Sequence, residues 1–359
     1  MAEKKKILIV DDSALMRRLM CDIINSDKRF EVVDSANDGV EALDLLKKNT
    51  YDAMVLDVNM PNMDGITLLK ELVKQKISVR TMMASTDTME GAKVTLDSLE
   101  LGAIDFIHKP DNMAECRGED FKQQFIDTLD AVTQSKAPSF GKTFVMDEIK
   151  TSKKVIELVA KRADSIKGNR IVAIASSTGG PKALQQVISR LPGSLRAAVL
   201  IVQHMPGGFT QSLADRLNSL SEMAVSEANE GDVVREGHVY VSKGGKHMNV
   251  IMKAGQPVIH YSDEPAREGV KPCANYMYES LADSMYDEIV CVVMTGMGAD
   301  GTQGIVNLQK KKKIHVISQS EETCAVYGMP KSVETAGLSD QVVPLDQIAQ
   351  EIILNVGVR

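Results

Sequence analysis

Short, continuous apolar runs recur along this chain, and they stop at residues with chemistry to offer. ILIV (7–10) stops at Asp11 and Asp12, VLDV (55–58) contains Asp57, and MMAS (82–85) finishes on Ser85. Runs this short, without period-two alternation, predict strands buried on both faces. Between the first two runs, Leu15, Met16, Leu19, Met20, Ile23 and Ile24 recur at helical spacing and form one apolar face. Buried strands alternating with amphipathic helices predict a parallel α/β sheet covered by helices. The binding edge of such a sheet lies at the carboxyl ends of its strands. The pattern returns after residue 170 in IVAIAS, AVLIVQ (198–203), IVCVVMT (289–295) and IHVIS (314–318), with helical stretches after Pro181, Phe209 and Asp300. The intervening 225–262, carrying VYVS, GGKH and VIHYS, reads as β-hairpins inserted into a second α/β parallel-sheet domain.

At 359 residues, the chain has room for two or three domains. The two sheet patterns are separated by QSKAPSFGKT, which has no core pattern. Residues 135–170 hold nine Lys/Arg and four Asp/Glu, a local charge of +5 in a chain of net charge −7. The expected division is therefore 1–134, a linker at 135–168, and 169–359. Val155, Ile156, Leu158 and Val159 suggest a short amphipathic helix within the linker. The overall acidity, and the lack of a basic recognition helix after 170, exclude a broad nucleic-acid footprint. No window approaches the ~18 apolar residues of a membrane span. The opening MAEKKKILIVDD has too short an apolar stretch for a secretion signal. Five scattered cysteines without a CxxC pair read as reduced thiols of a cytosolic protein.

On the first sheet, Asp11 and Asp12 end one strand, Asp57 ends the third, Ser85 the fourth and Lys109 the fifth. Converging carboxylates repel each other, and a hard cation such as Mg²⁺ relieves that repulsion through oxygen ligands. A hydroxyl and an ammonium on the same edge complete a set suited to phosphoryl transfer. Asp57 would be the nucleophile, Lys109 would stabilise the transferring oxygens, and Ser85 would contact the phosphoryl group afterwards. The motifs VDDS, DVNMPNMDG and KP resemble the response-regulator receiver domain over about residues 4–134, a doubly wound, flavodoxin-like fold. That resemblance implies phosphorylation of Asp57 by a histidine kinase. It also implies Mg²⁺ held by Asp12, Asp57 and the Asn59 carbonyl, with Asp11 as a further candidate ligand.

On the second sheet, IVAIASSTGGPK runs from a strand through two hydroxyls and two glycines into a proline suited to the first turn of a helix. Such a bend can cradle phosphate or lift a serine nucleophile, and the pattern does not separate Ser176 from Ser177. The next strand ends Gln203-His204-Met205-Pro206, where a dinucleotide fold would want an acid. The strand at 289–295 leads through TGMGADG to Asp300. A hydroxyl, an imidazole and a carboxylate after three strands are the parts of a Ser–His–Asp hydrolase. A nucleotide-binding effector and a non-catalytic, receiver-linked interaction module remain the alternatives.

SSTGGP, QHMPGGFT, GGKHM, TGMGADG and YGMP resemble the protein-glutamate methylesterase (CheB) family of bacterial chemotaxis across nearly all of 169–359. Aligned on Thr-Gly-Gly, the resemblance implies Ser177 as nucleophile, His204 as general base, Asp300 as its orienting carboxylate, and backbone amides around Met297 in the oxyanion hole. The family's usual Arg-Pro-Ser-Val-Asp stands here as Lys271-Pro272-Cys273-Ala274-Asn275, and His247 of GGKHM reads as a structural or rim residue. The implied activity is hydrolysis of glutamyl methyl esters on methyl-accepting chemotaxis receptors, with deamidation of receptor glutamines. The implied setting is cytoplasmic, at receptor arrays on the inner face of the membrane, with a chemotaxis histidine kinase as phosphodonor and no cofactor for the esterase reaction. The unphosphorylated receiver would cover the Ser177 edge. Lys310 to Lys313 and the basic linker are candidates for receptor docking, although an ordinary solvated surface is the simpler reading.

Overall fold

The computed structural model describes residues 3–86, 89–110, 112–137 and 168–359. The chain forms two compact units, Met1–Phe144 and Val145–Arg359. The amphipathic helix expected around Val155 to Val159 lies outside the described residues.

The first unit contains β1 (Lys5–Val10), β2 (Phe30–Ala36), β3 (Ala53–Asp57), β4 (Thr81–Thr86) and β5 (Asp105–Lys109). They form a parallel sheet of order β2-β1-β3-β4-β5. Three of its helices, Ala14–Ser26, Gly39–Lys48 and Gly65–Gln75, begin at Ser13, Asp38 and Asp64, whose side chains accept N–H groups of the first turn. The strand order reverses between β1 and β3, so Asp11 and Asp57 flank the crevice at the switch point.

The second unit contains β6 (Arg170–Ser176), β7 (Ala198–Gln203), β8 (Ala224–Glu227), β9 (His238–Val241), β10 (His247–Lys253), β11 (Gln256–Ser262), β12 (Glu288–Val293), β13 (Lys313–Gln319) and β14 (Gln341–Val343). Seven of these form one sheet, β14-β13-β12-β6-β7-β9-β8, with every pairing parallel. Among the described residues of this unit, only β10 and β11 make an antiparallel hairpin, closed by Ala254 and Gly255 at positive φ. The hairpin reading of 225–262 is thus correct for its second half alone. Val239, Tyr240 and Val241 are buried in succession, which requires apolar surroundings on both faces; β9 pairs with β7 and β8 inside the parallel sheet, and β8 takes its edge.

Strand β6 sits between β12 and β7 in the core. Ala173, Ala175, Leu200, Val202, Cys291 and Val293 are buried with Met277, Tyr278 and Leu281 of the helical segment beyond residue 273. The fully buried Tyr278 hydroxyl donates to the Ala173 and Val292 carbonyls, pinning the helix Ala274–Ser280 across β6 and β12. Lys310 to Lys313 precede or begin β13, at the amino edge of the sheet, away from the residues that follow β6, β7 and β12. They are also bonded within their own unit. Lys310 pairs with Asn307, Lys311 with Asp283, Lys312 with the Ser284 and Tyr286 carbonyls, and Lys313 with Glu288. Among the described residues, no helix is long and apolar enough to cross a membrane.

Leu200→Ala, at the centre of this core, is expected to destabilise the second unit by about 2–5 kcal/mol. Denaturant unfolding followed by circular dichroism measures this, and a loss below about 1 kcal/mol would contradict the packing described.

Candidate active site

Sheet register sets the first part of the site. Ser176 pairs with Gln203 across β6 and β7, so Ser177 and His204 are the next residues on adjoining strands. On the other side Val293 pairs with Ala175, which brings Thr295 level with Ser177. The ladder continues past the strand ends, with the His204 N–H donating to the Ser176 carbonyl (3.1 Å) and the Ser177 N–H to the Thr295 carbonyl (3.0 Å). Ser177, His204 and the loop to Asp300 therefore lie at one rim of the sheet.

The two serines have different environments. Ser176 is fully buried and its hydroxyl donates to Gln203 Oε1 at 2.7 Å. Ser177 is partly exposed at the bend. The Gln203 amide also donates to the Ser177 carbonyl (2.9 Å) and to the His204 carbonyl (3.3 Å), tying both strand ends together. A Cβ on Gly180 would meet Gln203 Oε1, so any larger residue there would push the Gln203 side chain off its hydrogen bonds. Sequence reading assigned no role to Gln203. A glutamine at a strand end that faces a serine in register was the available signal.

His204 Nε2 lies 2.7 Å from Asp300 Oδ2. A carboxylate only accepts, so Nε2 carries a proton, and in the neutral ring Nδ1 is the nitrogen with the lone pair. The described contacts give Ser177 no hydrogen bond to this ring; in the absence of substrate such contacts are often long. Asp300 is almost completely buried and receives three further donors. Ala274 N–H reaches Oδ2 at 2.6 Å, while Asn275 N–H and the Cys273 thiol reach Oδ1 at 2.9 and 3.0 Å. Burial opposes its charge, but the His204 ring, then the Cys273 thiol and the Ala274 N–H, outweigh it and hold the carboxyl below the usual range. The Cys273 thiol is pushed up to about 12, by burial first and then by the Asp300 charge.

The segment that departs from the family pattern is thus the floor of this site. Asn275 is fully buried; its carbonyl oxygen accepts the Gly301 and Gly304 N–H groups, and its amide donates to Glu268. His247 is fully buried, with Nδ1 accepting the Cys273 N–H and Nε2 facing the Pro265 carbonyl. It is structural and does not sit at the rim. Burial lowers its pKa, which suits the neutral ring that this pairing needs.

The loop after β12 approaches Ser177 closely. A Cβ on Gly296 would lie 2.7 Å from Ser177 Cβ and 2.4 Å from Met329 Sδ. The Gly296 carbonyl accepts the Gly328 and Met329 N–H groups, fixing the loop from behind. Met297 follows; it is partly exposed, and its backbone N–H has no hydrogen-bond partner among the described residues.

On the first sheet, Lys109 Nζ bridges Asp57 Oδ1 (2.6 Å) and Asp11 Oδ2 (3.1 Å). The Val58 N–H also donates to Asp57 Oδ1, so Oδ2 is the oxygen left for chemistry. Burial raises the Asp57 pKa, with Lys109 pulling it down and Asp11 pushing it up. Burial works against the Lys109 charge, but Asp57 and Asp11 hold its pKa up. Ser85 is buried near the end of β4, and Asn59 is exposed two residues beyond Asp57. Oxygens of Asp11, Asp12 and Asp57 all lie within 4.8 Å of one another. An all-oxygen anionic set of this kind fits Mg²⁺.

Two family models match the chain: CheB methylesterase over residues 172–352 and the response regulator receiver domain over residues 7–118. A protein-glutamate methylesterase/protein-glutamine glutaminase of Pyrococcus horikoshii is 42% identical over 98% of this chain and 94% of its own length. One of the same name from Bacillus subtilis is 38% identical, covering 97% of each. The crystal structure of the Thermotoga maritima CheB methylesterase catalytic domain superposes with a TM-score of 0.50 at 38% identity, covering 52% of this chain and 98% of that one. The chain belongs to the CheB methylesterase family and carries its receiver domain ahead of its hydrolase domain.

Proposed function

We propose that this chain is a phosphorylation-activated serine hydrolase. It removes methyl esters from glutamates of methyl-accepting chemotaxis receptors and deamidates receptor glutamines. The observation that carries the reading is the His204–Asp300 contact at the rim that also bears Ser177.

Ser177 Oγ attacks the ester carbonyl while His204 Nδ1 takes its proton. Asp300 stabilises the imidazolium so formed and keeps the proton of the neutral ring on Nε2. The Met297 N–H donates to the oxyanion. Collapse breaks the bond to the methoxy oxygen, and Nδ1–H protonates that oxygen so that it leaves as methanol. Water then attacks the acyl-enzyme, giving a proton to His204, which returns it to Ser177. With a glutamine substrate the leaving group is ammonia. The reaction as proposed draws on side chains and backbone of this chain and one water molecule, with no step assigned to a metal.

In the receiver, Asp57 Oδ2 accepts a phosphoryl group from a histidine kinase. Asp12, Asp57 and the Asn59 carbonyl, with Asp11, would hold Mg²⁺. When bound, Mg²⁺ neutralises charge on the transferring oxygens. Lys109 shares that task, and Ser85 contacts the phosphoryl group after transfer. Phosphorylation adds nearly two negative charges beside Lys109 and relieves an inhibition exerted by the unphosphorylated receiver. A complete 99:1 reversal would need about 5.5 kcal/mol, so graded inhibition is the expected form. The proposed division is receiver 1–134, linker 135–168 and hydrolase 169–359, with the protein working at receptor arrays on the cytoplasmic face.

Ser177→Ala is expected to lower methanol release from methylated receptor membranes by about 10⁴-fold, and Ser176→Ala by less than about tenfold. Ser177→Ala turnover within tenfold of the parent would refute the assignment. EDTA should abolish phosphorylation by a small phosphodonor and leave basal hydrolysis unchanged; a parallel loss of basal activity would mean that the hydrolase needs a metal. A fragment beginning at Gly168 should outperform the unphosphorylated full chain, and equal rates would dispose of receiver inhibition.

A further inference from the structure

The Asp300 cradle contains one side-chain donor besides His204, and it is a thiol. Cys273 Sγ lies 3.0 Å from Asp300 Oδ1, in a fully buried position immediately before the helix Ala274–Ser280. Resting on the hydrolase reading above, we propose that Cys273 is a positioning residue for the reaction: its S–H group fixes the rotation of the Asp300 carboxylate so that Oδ2 meets His204 Nε2.

The geometry divides the work between the two oxygens. Oδ2 receives His204 Nε2 at 2.7 Å and the Ala274 N–H at 2.6 Å, while Oδ1 receives the Asn275 N–H at 2.9 Å and the thiol. Main-chain donors from successive residues hold both oxygens near the helix start. Each oxygen then has one main-chain donor, and the thiol, as a second contact on Oδ1, adds a side-chain restraint on rotation about the Cβ–Cγ bond. The thiol must stay protonated to donate. Its raised pKa, about 12, keeps it so at physiological pH, because a thiolate beside the Asp300 charge is strongly disfavoured. Cys273 itself is held from the other side by its N–H bond to His247 Nδ1. No cap bond diverts its side chain to the helix that it precedes.

A thiol is a weak donor, and it acts here on a fully charged acceptor. Its removal is felt through the orientation of His204, not through substrate binding. Cys273→Ala in the full-length, phosphodonor-activated protein is expected to lower kcat for methanol release about tenfold with KM unchanged. Cys273→Ser restores a side-chain donor and is expected to return kcat to within about twofold of the parent. Thermal midpoints of all variants are measured alongside, so that rates are compared at equal folded fraction.

Cys273→Ala with kcat within twofold of the parent overturns the proposal, as does Cys273→Ser matching a tenfold-impaired Cys273→Ala. Ser177→Ala is run beside them. If that variant turns over normally, the hydrolase site itself has been misassigned; if it is inactive while Cys273→Ala is normal, only the positioning role fails. Should Cys273→Ala not fold, the Raman S–H band of the parent, taken as a difference against Cys273→Ser, carries the test. A band shifted to lower wavenumber by a carboxylate acceptor is expected, and a free-thiol band overturns the proposal.

Discussion

Asp300 holds a charge where water does not reach, and the second unit is organised around that burden. An isolated carboxylate in such a position would take up a proton, because desolvation penalises only the charged form. Four donors prevent it: one imidazole, one thiol and two main-chain N–H groups. The main-chain pair comes from the first residues of a helix, where those N–H groups have no partner within the helix. Tyr278 in turn pins that helix to β6 and β12, the strands on which the rim is built. The carboxylate, the helix and the two central strands therefore form one mechanical piece.

The two sheets solve related charge problems in opposite ways. In the second, the Asp300 carboxylate is held charged by hydrogen bonds and one ring, and the proposed chemistry moves a proton. In the first, Asp11 and Asp57 share one ammonium, so negative charge is left over with Asp12 close by. An excess of that sign, built from oxygens, is what a divalent cation satisfies, and it makes the pocket receptive to an incoming metal-bound phosphoryl group. Both arrangements rely on parallel strands delivering side chains to one edge, which is why the same architecture serves a switch and a hydrolase in one chain.

Much of this was legible in the residues, because strand-end chemistry follows from period and punctuation alone. Runs such as IVAIAS and AVLIVQ give strands, and the next residue in each is then an edge residue. What pattern could not supply was depth. Ser176 and Ser177 are neighbours in sequence, yet pleating sends one inward to Gln203 and leaves the other at the bend. The same limit misread β8 and β9, since a strand's partner is decided by what covers its faces. It also left Lys310 to Lys313 as docking candidates, when their place at the amino end of β13 sets them at the opposite edge from Ser177. The Lys271 to Asn275 departure was visible, but its meaning lay in contacts with Asp300, Gly301 and Gly304 that no spacing rule connects.

Burial also changes in a consistent direction along the proposed relay. The Asp300 side chain is 3% exposed, that of His204 10%, and Ser177 is partly open at the bend. The charge that must stay fixed is thus the most deeply held, and the group that must meet a protein substrate lies outermost. A methyl ester offers little surface to grip, so in the proposed reaction the rim accepts a glutamyl side chain presented by a folded protein. An open nucleophile permits that approach, while a dry carboxylate keeps its interaction with the imidazolium strong at the moment of proton transfer. Moving Asp300 outward would weaken that interaction through solvent, and moving Ser177 inward would deny the substrate access. The gradient satisfies both demands with two residues from neighbouring strand ends, Ser177 and His204, and one from the loop after β12, Asp300.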